Sequence, residues 1–105
     1  MNEKDIKKSI GPFNKLQINS VNNHIVTGDN GELMYSYNTP ICARIHSWNN
    51  REFIKETIYI NTLAYETSNT TMKHLSEYLG HNIKVTRKKI ETGEYKTFKE
   101  REDSI

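Results

Sequence analysis

Polar and apolar residues alternate with a period of two over much of the first sixty positions. In residues 41–46, Ile41, Ala43 and Ile45 are predicted to lie on one face of a strand, and Arg44 is predicted to lie on the other. Such alternation is typical of strands that bury one face. The pattern therefore predicts an antiparallel sheet covered on one side. The extended segments are residues 16–18, 24–27, 33–37, 41–46 and 57–60.

Two turn signals organise these segments. The run Gly28-Asp29-Asn30-Gly31 favours a tight hairpin, because Asn and Gly tolerate the positive φ that such turns require. Pro40 cannot donate a ladder hydrogen bond, so it belongs to a turn or to the first residue of a strand. We therefore expect residues 25–26 to pair with residues 33–37.

A change to helical periodicity follows. Thr67 or Ser68 can cap the first turn, and Gly80 stands where a left-handed C-cap residue is favoured. A helix of about ten residues is too short to persist alone in water, so it must pack on the sheet. Its apolar stripe consists of Met72, Leu75, Tyr78 and Leu79.

Beyond this helix, polar and apolar residues alternate again in two segments, residues 83–90 and 94–98. They lie on either side of Thr92-Gly93, which predicts a basic terminal hairpin. The fold class predicted is α+β, with a small antiparallel sheet, one short helix packed on it and a C-terminal β-hairpin. Residues 1–13 are predicted to be a flexible tail, 14–98 a single domain and 99–105 a solvated tail. The predicted core consists of Leu33, Tyr35, Ile41, Ala43, Ile45, Ile58, Ile60, Met72, Leu75 and Leu79.

Composition limits the size of this core and the class of protein. Only 34% of the 105 residues are hydrophobic and 27% are charged, which favours one small domain. The mean hydropathy is −0.81, and no apolar run approaches the roughly 20 residues that span a bilayer. The N-terminal residues lack the apolar stretch of a signal peptide. We therefore expect a cytoplasmic protein.

The sequence offers no recognisable catalytic constellation. Cys42 lies in an apolar strand pattern, which favours a buried, inert thiol. The four histidines, of which His74 and His81 lie seven apart, have no carboxylate or cysteine at a spacing that completes a metal site. No glycine run resembles a phosphate-binding loop. We therefore expect a protein that is not an enzyme and uses no metal or cofactor.

Two binding interpretations are left. The first is nucleic-acid binding by the basic hairpin, where cations and aromatic rings are interleaved. Against it, edge strands commonly carry lysine to prevent edge-to-edge pairing, and Glu91 and Glu94 dilute the charge, which is only +2 overall. The residues that would form this surface are Lys84, Arg87, Lys88, Lys89 and Tyr95.

The second interpretation is protein binding. Six tyrosines and one tryptophan exceed what a small core requires, and exposed Tyr, Trp and Arg dominate interface energies. Trp48 and Arg51 lie in a polar, turn-prone segment that is predicted to face solvent. The alternative for Trp48 is that it folds back to cap the sheet. An unpaired edge strand would also permit a dimer.

Two segments resemble a group of short phage and prophage proteins of unknown function. They are Ser36-Tyr37-Asn38-Thr39-Pro40-Ile41-Cys42-Ala43 and Tyr65-Glu66-Thr67-Ser68-Asn69-Thr70-Thr71-Met72-Lys73-His74-Leu75. They are similar to a SYxTxIA strand and a TTxKHL helix start, and the resemblance covers roughly residues 32–80. It implies an accessory protein of a mobile element that binds and inhibits a host or defence protein, such as a CRISPR nuclease. The alternative is a nucleic-acid-binding accessory module.

Overall fold

A computed structural model of the chain describes residues 2–20, 23–65 and 69–99. It has an α+β fold, as the sequence predicts. Its helices are α1 (Glu3–Ile10), α2 (Thr62–Tyr65), α3 (Asn69–Leu79) and α4 (Ile83–Glu91). Its strands are β1 (Phe13–Ser20), β2 (Asn23–Gly28), β3 (Gly31–Ser36), β4 (Thr39–Asn49), β5 (Glu52–Asn61) and β6 (Lys96–Phe98).

The strands form one six-stranded sheet in the order β1-β2-β3-β4-β5-β6. The first five strands make an antiparallel meander, and the predicted hairpin between β2 and β3 is confirmed, with Gly28 opposite Gly31. β6 pairs parallel to β5, which requires the chain to cross the sheet through α2, α3 and α4. The sheet is therefore mostly antiparallel with one parallel edge.

Both faces of the sheet are covered, whereas the strand pattern predicts a cover on one side only. On one face Cys42 is fully buried beneath α3 and α4, which confirms the predicted burial of its thiol. The opposite face packs against α1. The α3–α4 side buries Ile25, Met34, Ile41, Cys42, Ile60, Leu75 and Tyr95, and the α1 side buries Ile6, Ile10, Leu33, Tyr35, Ala43 and Phe98.

Helix α1 occupies residues that the sequence analysis assigns to a flexible tail, and that assignment is wrong for residues 3–10. Asn2 and Asp5 form a reciprocal cap, in which the Asn2 side chain accepts from the Asp5 amide at 2.9 Å. Ile6 and Ile10 lie one turn apart and are both fully buried. The residues between them are charged or polar, so the sequence shows only two apolar positions and no longer helical pattern.

Helix α4 replaces the predicted first arm of the C-terminal hairpin, so that prediction is wrong. Ile83, Thr86 and Ile90 fall on one helical face, and each is buried or half-buried. The Asn82 side chain accepts from the Val85 amide at 3.0 Å and caps the helix. The alternation of Ile83 and Val85 fits either structure, and packing on the sheet selects the helix.

The predicted core is confirmed in most respects. Six of its members are buried, and Ile45, Ile58, Met72 and Leu79 are partly buried against the two clusters. Gly80 has φ +78° and donates its N–H to the Ser76 carbonyl at 2.9 Å, as expected of a C-cap. The predicted capping residues Thr67 and Ser68, and the tail from residue 100 onwards, lie outside the described residues. Within the described ranges, each helix is too short or too polar to cross a membrane.

Candidate functional site

The hairpin between β4 and β5 is the longest in the sheet. Its loop contains only Asn50 and Arg51, which lie between the paired residues Asn49 and Glu52. Both loop residues have positive φ, +50° and +71°, which is the conformation that matches the twist of a two-residue hairpin. Asparagine tolerates this conformation and arginine disfavours it. The turn therefore places Arg51 at the exposed end of the hairpin, in a backbone conformation that is unfavourable for arginine.

Three rings gather beside this turn, and we call His46, Trp48 and Phe53 the aromatic tip. Trp48 and Phe53 are opposite each other in the strand register, and their ring centroids are 5.6 Å apart. The His46 ring lies 5.7 Å from Phe53 and 6.4 Å from Trp48, and all three contacts are edge to face. Trp48 stays 48% exposed and Phe53 52% exposed. Trp48 therefore contacts its hairpin neighbours instead of folding back over the sheet.

The charges around the aromatic tip balance. Arg51 and Lys55 are cationic, while Glu52 and Glu56 are anionic. Glu56 also lies 2.9 Å from His46 Nε2, which fixes the imidazole against the rings. A surface with exposed rings and no excess of either sign suits an apolar protein surface better than a phosphate backbone.

The predicted basic residues lie on α4. Lys84, Arg87 and Lys88 are exposed and share one stripe of the helix, where Glu91 joins them. Lys89 points elsewhere: its Nζ lies 2.9 Å from Glu94 Oε2. The structure thus brings three of the four cations together, but as a helix face and not as a strand.

Tyr95 does not belong to this basic surface, contrary to the sequence-based prediction that it would bind a partner. It is only 8% exposed and packs in the core. Its hydroxyl lies 2.8 Å from His81 Nε2, and Lys89 Nζ lies 5.4 Å from the ring centroid. Phe98 is likewise buried. The stacking rings that a single-stranded nucleic acid requires are therefore not exposed beside the cations of α4.

A polar network fastens α3 to the sheet. Tyr78 donates its hydroxyl proton to Glu32, and the Arg44 guanidinium lies 4.6 Å from the Tyr78 ring centroid. Arg44 also donates to the Tyr78 carbonyl at 3.3 Å. Burial raises the pKa of Tyr78, and the hydrogen bond to Glu32 raises it further. Arg44 Nε is buried 4.0 Å from Glu32 Oε1 and has no hydrogen-bond partner in the described part of the chain. The other contacts hold α3 against the sheet, which is a structural role.

The histidines are dispersed over separate environments. His24 stacks on Tyr35 with ring centroids 4.8 Å apart, and His74 Nδ1 lies 2.8 Å from Ser36 Oγ. Across the described parts of the chain, no three metal-binding side chains come together.

An open cleft of about 180 Å³ beside α3 is lined by Asn19, Asn23, Met34, Glu77 and Tyr78.

Sequence reasoning identified Trp48 and Arg51 at the turn but missed His46 and Phe53. For Phe53 the signal was available in the spacing. Trp48 and Phe53 lie symmetrically about Asn50-Arg51, so a two-residue turn places them opposite each other. Recognising the turn as a two-residue loop would have predicted the ring pair.

Comparison with protein-family profiles finds that residues 8–94 match DUF8033, a family of unknown function. This segment runs from within α1 to just beyond α4, and it includes the aromatic tip. No curated protein and no solved structure matches the chain.

Proposed function

The chain belongs to the DUF8033 family, whose function is unknown, and we propose that it is a non-enzymatic protein that binds another protein through the aromatic tip. One observation carries the proposal: Trp48 and Phe53 are half exposed on a two-residue hairpin whose charges balance. Exposed aromatic rings of this kind are the residues that contribute most to protein interfaces.

The position of these rings favours binding over folding. The two core clusters contain neither Trp48 nor Phe53. The rings contact each other and His46, and they leave about half of their surface in water. A partner that covers them would recover the free energy of burying that apolar surface. Rigid aromatic side chains also lose little conformational entropy on binding.

The proposed partner is a host or defence protein that the chain inhibits, and an RNA-guided nuclease of the CRISPR class is a specific candidate. The motivation is the resemblance of residues 36–43 and 65–75 to phage-borne proteins. Inhibition requires only that the bound chain covers a functional surface, so it needs no catalytic group. The protein acts in the cytoplasm of the host cell.

Affinity capture from a nuclease-treated bacterial host lysate tests this proposal. The wild-type chain should retain a specific protein, and a Trp48→Ala/Phe53→Ala variant should lose it. A Lys84→Ala/Lys88→Ala variant serves as the matched control and should retain it. The captured protein should lose activity when the wild-type chain is added. Retention by the tip variant, or full activity in the complex, would contradict the proposal.

A second candidate function is nucleic-acid binding by α4. The observation that favours it is the shared exposed stripe of Lys84, Arg87 and Lys88. Three cations are few, and Glu91 reduces their field. We therefore expect binding to bare DNA and RNA near physiological salt to be no tighter than about 10⁻⁴–10⁻⁶ M, the non-specific range. Submicromolar binding that strengthens with strand length would place this function first.

A further inference from the structure

Strand β1 forms one edge of the sheet, and within the described chain no strand pairs with its outer side. Leu16 and Ile18 are 57% and 70% exposed. They lie opposite Val26 and His24 on β2, which places them on the α1 side of the sheet. Helix α1 packs over β3 and β4. This corner of the sheet therefore presents apolar side chains beside an open edge.

The usual protections of an edge are weak here. Proteins guard edge strands with lysines, prolines, inward charges or bulges. β1 has register shifts around Asn14 and Asn19, and between them Lys15–Ile18 pair regularly with β2. This central segment contains one lysine and no proline. No described strand pairs with the backbone groups on its outer side.

We propose that β1 pairs antiparallel with β1 of a second copy of this chain, with the two-fold axis at Gln17. This register sets Leu16 opposite the partner's Ile18, and Ile18 opposite the partner's Leu16. The four side chains then form one apolar cluster across the axis. The same cluster cannot form if the strands slip by one residue, because side chains alternate between faces.

The register also separates the positive charges. Lys15 lies opposite the partner's Asn19, so the two Lys15 residues are four positions apart. At about 3.3 Å per residue this is roughly 13 Å, beyond the Debye length of about 8 Å at physiological ionic strength. A two-fold axis perpendicular to the sheet keeps both α1 helices on one side of a continuous sheet. The dimer uses no residue of the aromatic tip, so it stands independently of the proposed function.

Light scattering after size-exclusion chromatography tests the dimer. At tens of micromolar the wild-type chain should show about twice its 12.3 kDa mass. A Leu16→Lys/Ile18→Lys variant should be monomeric, because the register opposes like charges. A Leu16→Lys/Ile18→Glu variant should be dimeric again, because each lysine then faces a glutamate. The matched control is Ile54→Lys, which alters an equally exposed apolar residue of β5 and should stay dimeric.

Cysteine cross-linking tests the register itself. Gln17→Cys should form an intermolecular disulfide under mild oxidation, since it lies on the two-fold axis. Lys15→Cys should not, because its counterpart lies beyond the roughly 7 Å that a disulfide spans. Cys42 is buried and does not compete. A monomeric wild-type chain, or a folded Leu16→Lys/Ile18→Lys variant that stays dimeric, would overturn the proposal, as would cross-linking through residue 15 alone.

Discussion

Trp48 and Phe53 lie directly opposite each other on β4 and β5, with ring centroids 5.6 Å apart and planes inclined by 76°. A cross-strand aromatic pair contributes about 0.2–1 kcal/mol to stability. The same rings, if they are interface hot spots, contribute about 2 kcal/mol or more to binding. Removing one of these rings should therefore lower the binding affinity much more than it lowers the stability of the fold.

We therefore expect Trp48→Ala to lower the free energy of unfolding by no more than about 1 kcal/mol. Its affinity for the captured partner should fall about 30-fold or more, which corresponds to about 2 kcal/mol. Urea denaturation and titration calorimetry measure the two effects. Val85→Ala, which shortens an exposed apolar residue of α4, is the control and should change neither quantity appreciably. An unchanged affinity for Trp48→Ala would place the binding surface elsewhere.

Removal of a buried isoleucine tests whether the N-terminal segment is a helix that belongs to the core. Ile6 is fully buried between α1 and the sheet, so Ile6→Ala should cost about 2–5 kcal/mol. Lys4→Ala alters an exposed position of the same helix and should stay within about 0.5 kcal/mol of wild type. The urea midpoint measures both changes. Equal midpoints for the two variants would show that residues 3–10 behave as a tail.

Gly31 and Gly93 both have positive φ, but only Gly31 also lacks space for a side chain. A Cβ on Gly31 would lie 2.0 Å from the Arg44 carbonyl oxygen, and φ there is +146°. Gly93 has φ +82°, and a Cβ there would lie more than 4 Å from every described residue other than its chain neighbours. Gly93→Ala should therefore cost only about 1–2 kcal/mol for the left-handed backbone. Gly31→Ala must also displace a backbone strand, so its cost should be about 3 kcal/mol or more. Similar thermal midpoints for the two variants would contradict this close approach of β3 and β4.

Local chemistry explains why parts of the fold were predictable. Both signals are contained in a few positions. The C-cap depends on the positive φ of Gly80, and in the hairpin at residues 28–31 Gly31 has positive φ whereas Asp29 and Asn30 do not. The alternation in residues 33–37 and 41–46 likewise depends only on the strand period. These predictions needed no knowledge of distant parts of the chain.

The remaining parts depend on contacts that are distant in sequence. The apolar stripe of helix α1 consists of only Ile6 and Ile10. It indicates a buried helix only when the sheet that covers it is known. Met34 was not among the predicted core residues, and it is buried because α3 and α4 cover the second face of the sheet. The candidate site differs: Trp48 was identified from its own segment, while Phe53, although close in sequence, required recognition of the two-residue turn that sets the register of β4 with β5.

Alkaline conditions should destabilise the fold, because it buries groups that are neutral only when protonated. Burial raises the pKa of the Cys42 thiol, and burial raises the pKa of the Tyr78 and Tyr35 hydroxyls. Hydrogen bonds to Glu32 and Glu3 raise the two tyrosine values further. The folded chain therefore keeps protons at a pH where the unfolded chain releases them. Their contribution is complete below the unfolded pKa values, about 8.5 for cysteine and 10 for tyrosine, and decreases above them.

The free energy of unfolding should accordingly begin to fall near pH 8.5, by up to tenfold in the folding equilibrium constant per pH unit for the thiol. The decrease should steepen above pH 10 as the tyrosines contribute. Urea denaturation between pH 7 and 11 measures the profile. Cys42→Ala removes the thiol, so its profile should lose the phase that begins near pH 8.5 even though the variant is less stable throughout. A thiol that reacts with Ellman's reagent in the native chain, or a wild-type profile without the lower phase, would show that Cys42 is not protected as the fold requires.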